Sequence, residues 1–346
     1  MTGRRMESGT GNDSATPYQD TATVYQALRP LLFSIAYRML GSVSEAEDIV
    51  QEAFLRYHNA ATEHGQPNSP KAYLSAVVTR LCIDQLRSAR ARRESYVGDW
   101  LPEPLLTGAT RGNYLMPGQP MPDPATAAEQ ADSLSMAFLL LLERLTPLER
   151  AVFLLHDVFG YDYTEAGGIV GRSEATCRQL AHRARQHIEA ARPRFDVAAR
   201  ERDELAGRFF AAVRTGDIEG LVSMLAGDAE VHGDSGGVPP SWRRPITGRE
   251  HVARLMAALG NQLRHAQGSL ELAEVNGQPG ALARGPDGGL IAVLSIDVAG
   301  GQVQTVRSVI SRPKLSHLGP LADLSSFQQQ RQPTGRPAEE GPGTMR

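Results

Sequence analysis

The segment Tyr163 to Arg185 constrains the fold more than any other stretch, because it reads as two short helices broken at Gly171-Arg172-Ser173. Two helices joined by a short glycine-containing turn form a helix-turn-helix. Ser173 stands at the N-cap position, where its hydroxyl can accept from the Thr176 amide. The helix that follows places Glu174, Arg178, Gln179, His182 and Arg183 on one broad face, with Cys177 and Leu180 turned toward a core. Such a face can enter a major groove. An ordinary helical hairpin with a solvated polar face gives the same local pattern, so the rest of the chain has to decide.

A chain of 346 residues that is 41% apolar can bury the cores of two or three domains. Its formal charge of -3 excludes a protein coated in positive potential, so contact with nucleic acid must come from local clusters. Lys71, Arg80, Arg87, Arg90, Arg92 and Arg93, set against Asp84 alone, form one such cluster; Arg178, Arg183, Arg185 and Arg194 form another. Cys82 and Cys177 are far apart inside helical patterns, which supports neither a disulfide framework nor a cysteine zinc site. No phosphate loop, nucleophile elbow or metal-ligand spacing occurs, so no cofactor, no metal and no enzymatic activity is expected. The chain has no apolar run of about 18 residues, and its polar start lacks the apolar core of a secretory signal; a cytoplasmic protein without a membrane partner is expected.

Residues 1–20 read as a disordered leader. From Val24 the pattern is helical. Leu28, Leu31, Leu32, Ile35, Ala36, Met39 and Leu40 recur at three and four before Gly41; Ser44 with Glu47 makes a capping box for a helix from Glu45 to about Asn59; Ser69-Pro70 opens a third helix that runs to about Arg93. Six prolines between Gly98 and Pro124 mark a linker. Helical periodicity resumes at Ala125, and a four-helix unit closes near Arg192. Beyond residue 200 two helices flank Thr215-Gly216-Asp217, and a third spans Gly248 to Leu263. Period-two stretches follow at 269–275, 281–284, 290–298 and 303–311, joined by Asn276-Gly277, Pro286-Asp287-Gly288-Gly289 and Gly300-Gly301, which predicts an antiparallel meander. The tail from about Gly319 reads as disordered.

Ala36-Tyr-Arg-Met-Leu-Gly41 with Ala46 to Arg56, Ala72-Tyr-Leu with Leu81 to Arg87, and Leu145-Thr-Pro-Leu-Glu-Arg150 together resemble the extracytoplasmic-function group of bacterial RNA polymerase sigma factors. Trp100-Leu-Pro-Glu-Pro-Leu105, Asp234-Ser-Gly-Gly-Val238 and Ser311-Arg-Pro-Lys-Leu315 are similar to three marks of the subgroup with a fused C-terminal SnoaL-like domain of the nuclear-transport-factor-2 superfamily. The second mark usually reads Asp-Gly-Gly-Gly-Lys and the third Asn-Pro-Asp-Lys-Leu, so Ser235 and the missing lysine are departures. The resemblance implies two all-α domains, the second with the helix-turn-helix, followed by an α+β cone-shaped domain. Its divisions fall at 21–95 (region 2, core polymerase and -10 binding), 96–124 (linker), 125–193 (region 4, -35 binding), 200–318 (regulatory domain) and 319–346 (tail).

The resemblance also assigns partners: core RNA polymerase, through the clamp helices of its largest subunit and its flap region, and promoter DNA. Asp48, Gln51, Glu52 and Leu55 lie off the apolar stripe of Ile49, Val50, Ala53, Phe54 and Tyr57 and are the expected polymerase-binding face. Lys71, Tyr73, Arg80, Arg87 and Arg90 are the -10 candidates, with the loop 64–69 as the place for an unstacked base; Asp84 can instead hold Arg80 by an intrahelical pair. Glu174, Thr176, Arg178, Gln179, His182, Arg183 and Arg185 are the -35 candidates, with Arg178 and Gln179 suited to base edges and Arg183 and Arg185 to phosphates. Gly167 and Gly168 weaken the first helix of the motif. Trp100, Pro102, Glu103, Pro104, Asp234, Gly236, Gly237, Lys314 and Leu315 are the expected regulatory contact. Two rival readings remain: a DNA-binding regulator whose C-terminal domain senses an unknown small ligand, and an enzyme using Asp234, His232, His251, Asp297 and His265 as an acid-base set. The first is discriminated by exposure of Asp48, Gln51 and Glu52, the second by convergence of the titratable groups.

Overall fold

The computed structural model describes residues 17–94, 96, 98–107, 132–189, 199–237 and 244–323. They fall into two compact units. The expected leader before residue 17, the linker residues 108–131 and the tail after 323 lie outside the described residues.

The first unit carries three long helices, α1 (Pro17–Leu40), α2 (Val43–His64) and α3 (Pro70–Glu94). Helix α1 begins seven residues before Val24, inside the stretch read as a leader, and stops at Gly41, which takes a φ of 68°. The N-cap of α2 is Ser42, not Ser44: its hydroxyl accepts the Glu45 amide at 3.2 Å, so the helix starts two residues earlier than expected. Leu32, Ala36, Met39, Ala46, Val50, Ala53, Tyr57, Leu74, Val78 and Cys82 are fully buried, as the periodicity requires. Ile49, expected in that core, is half-buried.

The same unit continues through α5 (Pro147–Phe153), a π turn (Leu154–Val158), α6 (Tyr163–Val170) and α7 (Glu174–Glu189), whereas the helix before them, α4 (Met136–Leu142), belongs through Leu141 to the second unit. Thr146 and Glu149 form a reciprocal capping box on α5, and Asp162 and Glu165 form another on α6. Two helix C-termini are capped by arginines from other helices. Arg150, 3% exposed, donates to the Met39 carbonyl at 2.6 Å and to Glu143 at 2.8 Å. Arg80 donates to the carbonyls of Ile169 at 3.0 Å and Gly168 at 3.2 Å. Both satisfy carbonyls that lack an intrahelical donor at the negative end of a helix dipole.

The second unit is α+β. Helices α8 (Ala199–Thr215), α9 (Ile218–Met224) and α10 (Arg249–His265) cover one face of a six-stranded sheet of order β2-β1-β6-β5-β4-β3. Its strands are β1 (Leu225–Asp234), β2 (Ile246–Thr247), β3 (Ser269–Val275), β4 (Gln278–Arg284), β5 (Leu290–Ala299) and β6 (Gln302–Val309). Strands β3 to β6 form the predicted meander, and the Asn276-Gly277 turn has φ of 54° and 70°, the left-handed pair a two-residue hairpin needs. The sheet as a whole is mixed rather than antiparallel, because β1, absent from the sequence reading, lies parallel to β6. Phe209, Phe210, Met224, Val231, Met256, Leu294, Ile296 and Val306 fill the space between helices and sheet. On the other face Val275, Leu282, Val293 and Val309 are buried with Leu101, Met136, Leu315 and Leu318. Leu321 bridges to Leu290, so the ordered chain runs past Gly319.

Candidate polymerase, promoter and regulatory interfaces

On α2, burial of Ala46, Val50, Ala53, Phe54 and Tyr57 turns Asp48, Gln51, Glu52 and Leu55 outward, and Leu55 is 61% exposed. Between α2 and α3 lies a groove of about 260 Å³ lined by Glu45, Asp48, Ile49, Glu52, Leu81 and Gln85. Ile49 belongs to this groove, which is why it is not in the core. Carboxylates around an apolar floor suit an arginine, whose stem packs while its fork pairs with acid. Glu52 also pairs with Arg56 at 2.8 Å, an exposed bond that a partner can replace at little cost.

Along α3, the Ser69 hydroxyl accepts the Ala72 amide at 3.3 Å and starts the helix. The -10 candidates are not all free. Lys71 lies over the Tyr161 ring at 5.1 Å, Tyr161 shares a 2.9 Å hydrogen bond with Ser75, and Arg80 holds the end of α6. Asp84 pairs with Arg87 at 3.3 Å, while Arg80 takes the helix-end carbonyls. Tyr73 is half-buried, its ring 6.0 Å from that of Tyr57. Arg90 sits in α3, but its side chain lies outside the described residues.

The helix-turn-helix is α6 and α7. Gly171, φ 67°, ends α6, and the Arg172 amide bonds the Gly167 carbonyl at 3.0 Å. A Cβ on Gly167 would lie 2.6 Å from the Arg172 carbonyl oxygen, so this glycine, read from the sequence as a weakness, is what lets the turn close. Ser173 accepts the Thr176 amide at 3.3 Å, as expected of the cap. Cys177, Leu180, Ala181, Ala184 and Ile188 are buried; Glu174, Arg178, Gln179, His182 and Arg183 are exposed, and Thr176 and Arg185 are half-buried. Arg178 pairs with Glu174 and lies over the Tyr163 ring at 5.1 Å. Arg183 stands 3.7 Å from Glu149. Arg185 is tied to Asp157 at 2.8 Å and to the Tyr163 hydroxyl at 3.0 Å, so it braces the motif. Burial raises the pKa of both cysteine thiols, and neither is a poised nucleophile.

In the second unit residue 96 and residues 98–107 form a strap on the sheet. Asp234, 0% exposed at the end of β1, is its anchor. One carboxylate accepts the Tyr96 hydroxyl at 2.5 Å, the Leu101 amide at 2.8 Å, the Gly236 amide at 2.9 Å and the Lys314 ammonium at 2.6 Å. Lys314 also donates to the Leu101 carbonyl and lies over the Trp100 ring at 4.4 Å. Burial, then the bond to Asp234, raises the Tyr96 pKa and keeps the phenol a donor. Further along, Asn276 accepts the Leu105 amide at 2.9 Å and donates to the Leu134 carbonyl at 3.1 Å, and His317 donates to the Pro104 carbonyl at 2.9 Å. Pro102, Glu103 and Pro104 are buried in this strap; Gly236 and Gly237 form the exposed turn after β1. Leu101 and Leu105 are each 2% exposed.

Two family models match the chain, Sigma-70 region 2 over residues 24–92 and Sigma-70, region 4 over 135–188. The ECF RNA polymerase sigma factor SigJ of Mycobacterium tuberculosis is 38% identical over 323 residues, covering 90% of this chain and 96% of its own. The chain belongs to the ECF RNA polymerase sigma factors. A probable ECF sigma factor of the same organism, SigI, is 29% identical over 87% of this chain and 97% of its own. The crystal structure of the M. tuberculosis sigma factor SigJ superposes with a TM-score of 0.65 at 35% identity, covering 85% of this chain and 98% of that one.

Membership in a sigma-factor family brings core RNA polymerase and promoter DNA as partners and a family that is not enzymatic. Of the acid-base set considered from sequence, His232 and Asp234 are two residues apart on β1 and His232 is in register with Arg307, the partner of Asp297, whereas His251 and His265 lie on α10; each member is engaged by its own partner. Asp234 anchors the strap; His232 lies between Asp99 at 3.0 Å and Glu230 at 2.9 Å; Asp297 is in a buried ion pair with Arg307; His251 and His265 bond backbone carbonyls of their own helix region. Leu101 and Leu105 lie within the Trp100–Leu105 mark, whereas Tyr96 and Asp99 of the strap and its partners Asn276 and His317 are residues that the sequence reading missed. Asn276 showed only its turn propensity, and the others carry no short-range signal of a partner more than 100 residues away. No helix among the described residues is long and apolar enough to cross a membrane.

Proposed function

We propose that this sigma factor directs core polymerase to its promoters in the cytoplasm and is regulated in cis by residues 199–323 acting on the strap 96–107. The Asp48, Gln51, Glu52 and Leu55 face and its groove receive the clamp helices of the largest subunit, while region 4 meets the flap. Lys71, Tyr73, Arg80, Arg87 and Arg90 serve the -10 element and α7 the -35 element. Regulation rests on one observation above all, the buried Asp234 carboxylate that takes donors from the linker and from Lys314 at once. A connector bound along its length by a covalently attached domain is held at high effective concentration, so the domain can govern the connector without a strong contact.

Run-off transcription with purified core polymerase tests the reading. A chain ending near Arg200 is expected to differ markedly from the full chain in promoter output, whereas one ending at Asp323 matches it. Equal activity of all three would remove the regulatory role, and failure of the full chain to stimulate core polymerase on a library of its own upstream sequences would remove the initiation role.

A further inference from the structure

We propose that Tyr163 is a positioning residue for promoter reading, the platform that holds Arg178 of α7 ready for a -35 base. The inference rests on Arg178 as the base reader. Tyr163 is the first residue of α6, and its ring is stacked on His156 with centroids 3.8 Å apart and planes inclined by 23°. His156 belongs to the π turn between α5 and α6, and its Nδ1 donates to the Tyr161 carbonyl at 2.8 Å, which fixes the imidazole plane. The Arg178 guanidinium lies over the Tyr163 ring at 5.1 Å and is bonded by Glu174, its Nε at 3.2 Å. The Tyr163 hydroxyl accepts from Arg185 at 3.0 Å. One ring therefore organises two arginines of α7, one exposed and one half-buried.

The exposed i,i+4 pair with Glu174 alone would leave Arg178 free to sample other rotamers, since such pairs are weak. The aromatic face adds what the carboxylate lacks, a preferred plane for the guanidinium. An arginine already held in plane loses less freedom when it forms two bonds to a guanine edge, and that gain appears only at the base it reads.

The test uses the full chain with core polymerase and a set of promoters carrying every single-base change in the -35 element. Arg178→Ala is expected to flatten discrimination at one position. Tyr163→Leu and Tyr163→Met should lose about two- to fivefold of discrimination at that same position, the range of an exposed cation–π contact, and add nothing to Arg178→Ala in the double variants. Tyr163→Phe keeps the ring and should keep the discrimination, weakening all promoters alike through Arg185. Discrimination retained by Tyr163→Leu and Tyr163→Met, or unfolding of both, would show a merely structural tyrosine and overturn the proposal. No effect of Arg178→Ala at any position would instead remove the underlying assignment of Arg178.

Discussion

Replacing Asp234 by alanine should release the strap without unfolding the domain. The carboxylate is 0% exposed and its partner Lys314 11%, so the pair is desolvated and loss of one member costs about 3–5 kcal/mol. Against release stand Leu101 and Leu105, whose burial contributes about 1.5–3 kcal/mol each, or roughly 3–6 together. The two quantities are comparable, so the strap becomes marginal while the core between helices and sheet, on the opposite face, is untouched. Lys314→Met leaves a buried carboxylate with neutral donors only and no countercharge, and should do the same. Asp234→Asn with Lys314→Met removes both charges and should recover much of the loss, a coupling of opposite sign to the single changes. Amide hydrogen exchange at Leu101 and Leu105 reads the strap, and guanidinium unfolding reads the domain. Unchanged protection of those amides in both single variants, or strictly additive losses in the double, would refute the reasoning.

Asp48→Arg with Glu52→Arg should abolish co-purification with core polymerase while the circular dichroism melt stays within a few degrees of the parent, because both side chains lie off the core of α2. Arg178→Ala should cost about 1–3 kcal/mol of discrimination at one -35 base in promoter-variant binding. Arg185→Ala should weaken all promoters alike and lower the thermal midpoint slightly, since its bonds to Asp157 and Tyr163 are half-exposed. Gly167→Ala should destabilise the helix-turn-helix by about 1–3 kcal/mol, because the new Cβ meets a backbone carbonyl that cannot yield, and urea unfolding measures it.

The parts of this molecule that were legible in its sequence are those governed by short-range rules. Capping at Ser69 and Ser173, the stops at Gly41 and Gly171, and the hairpin at Asn276-Gly277 all act over two to four residues, and their residue types state the geometry. Strand β1 escaped because Leu225 to Asp234 contains two glycines and acids that read as loop, and its partner β6 lies more than 70 residues away. The reading of Gly167 as a defect had the propensity right and the reason wrong: only the fold shows the Arg172 carbonyl waiting there. The strap was half-legible. Trp100, Asp234 and Lys314 were singled out and do meet, but Tyr96 and Asn276 complete the seat through contacts no spacing rule connects.

The cations of α3 carry a further consequence for how the -10 element is reached. In the first unit Arg80 serves as the C-terminal cap of α6 and Lys71 lies on Tyr161, so the residues expected to meet DNA are engaged by the helix-turn-helix half of the unit. A helix end offers about half an elementary charge, a phosphate a full one. On the proposed assignment, a phosphate therefore competes well for Arg80 at low ionic strength. As salt rises, counterion release weakens the phosphate contact steeply, while a guanidinium bonded to two carbonyls at short range is screened far less. The Ser75 to Tyr161 bond and the buried Arg150 to Met39 bond involve no phosphate competitor and keep their strength throughout. On the proposed assignment of Arg80 to the -10 element, capture of that element and the bonds of Arg80 to the Ile169 and Gly168 carbonyls compete for one guanidinium, and the salt dependence of -10 binding in Arg80→Ala against the parent measures that competition.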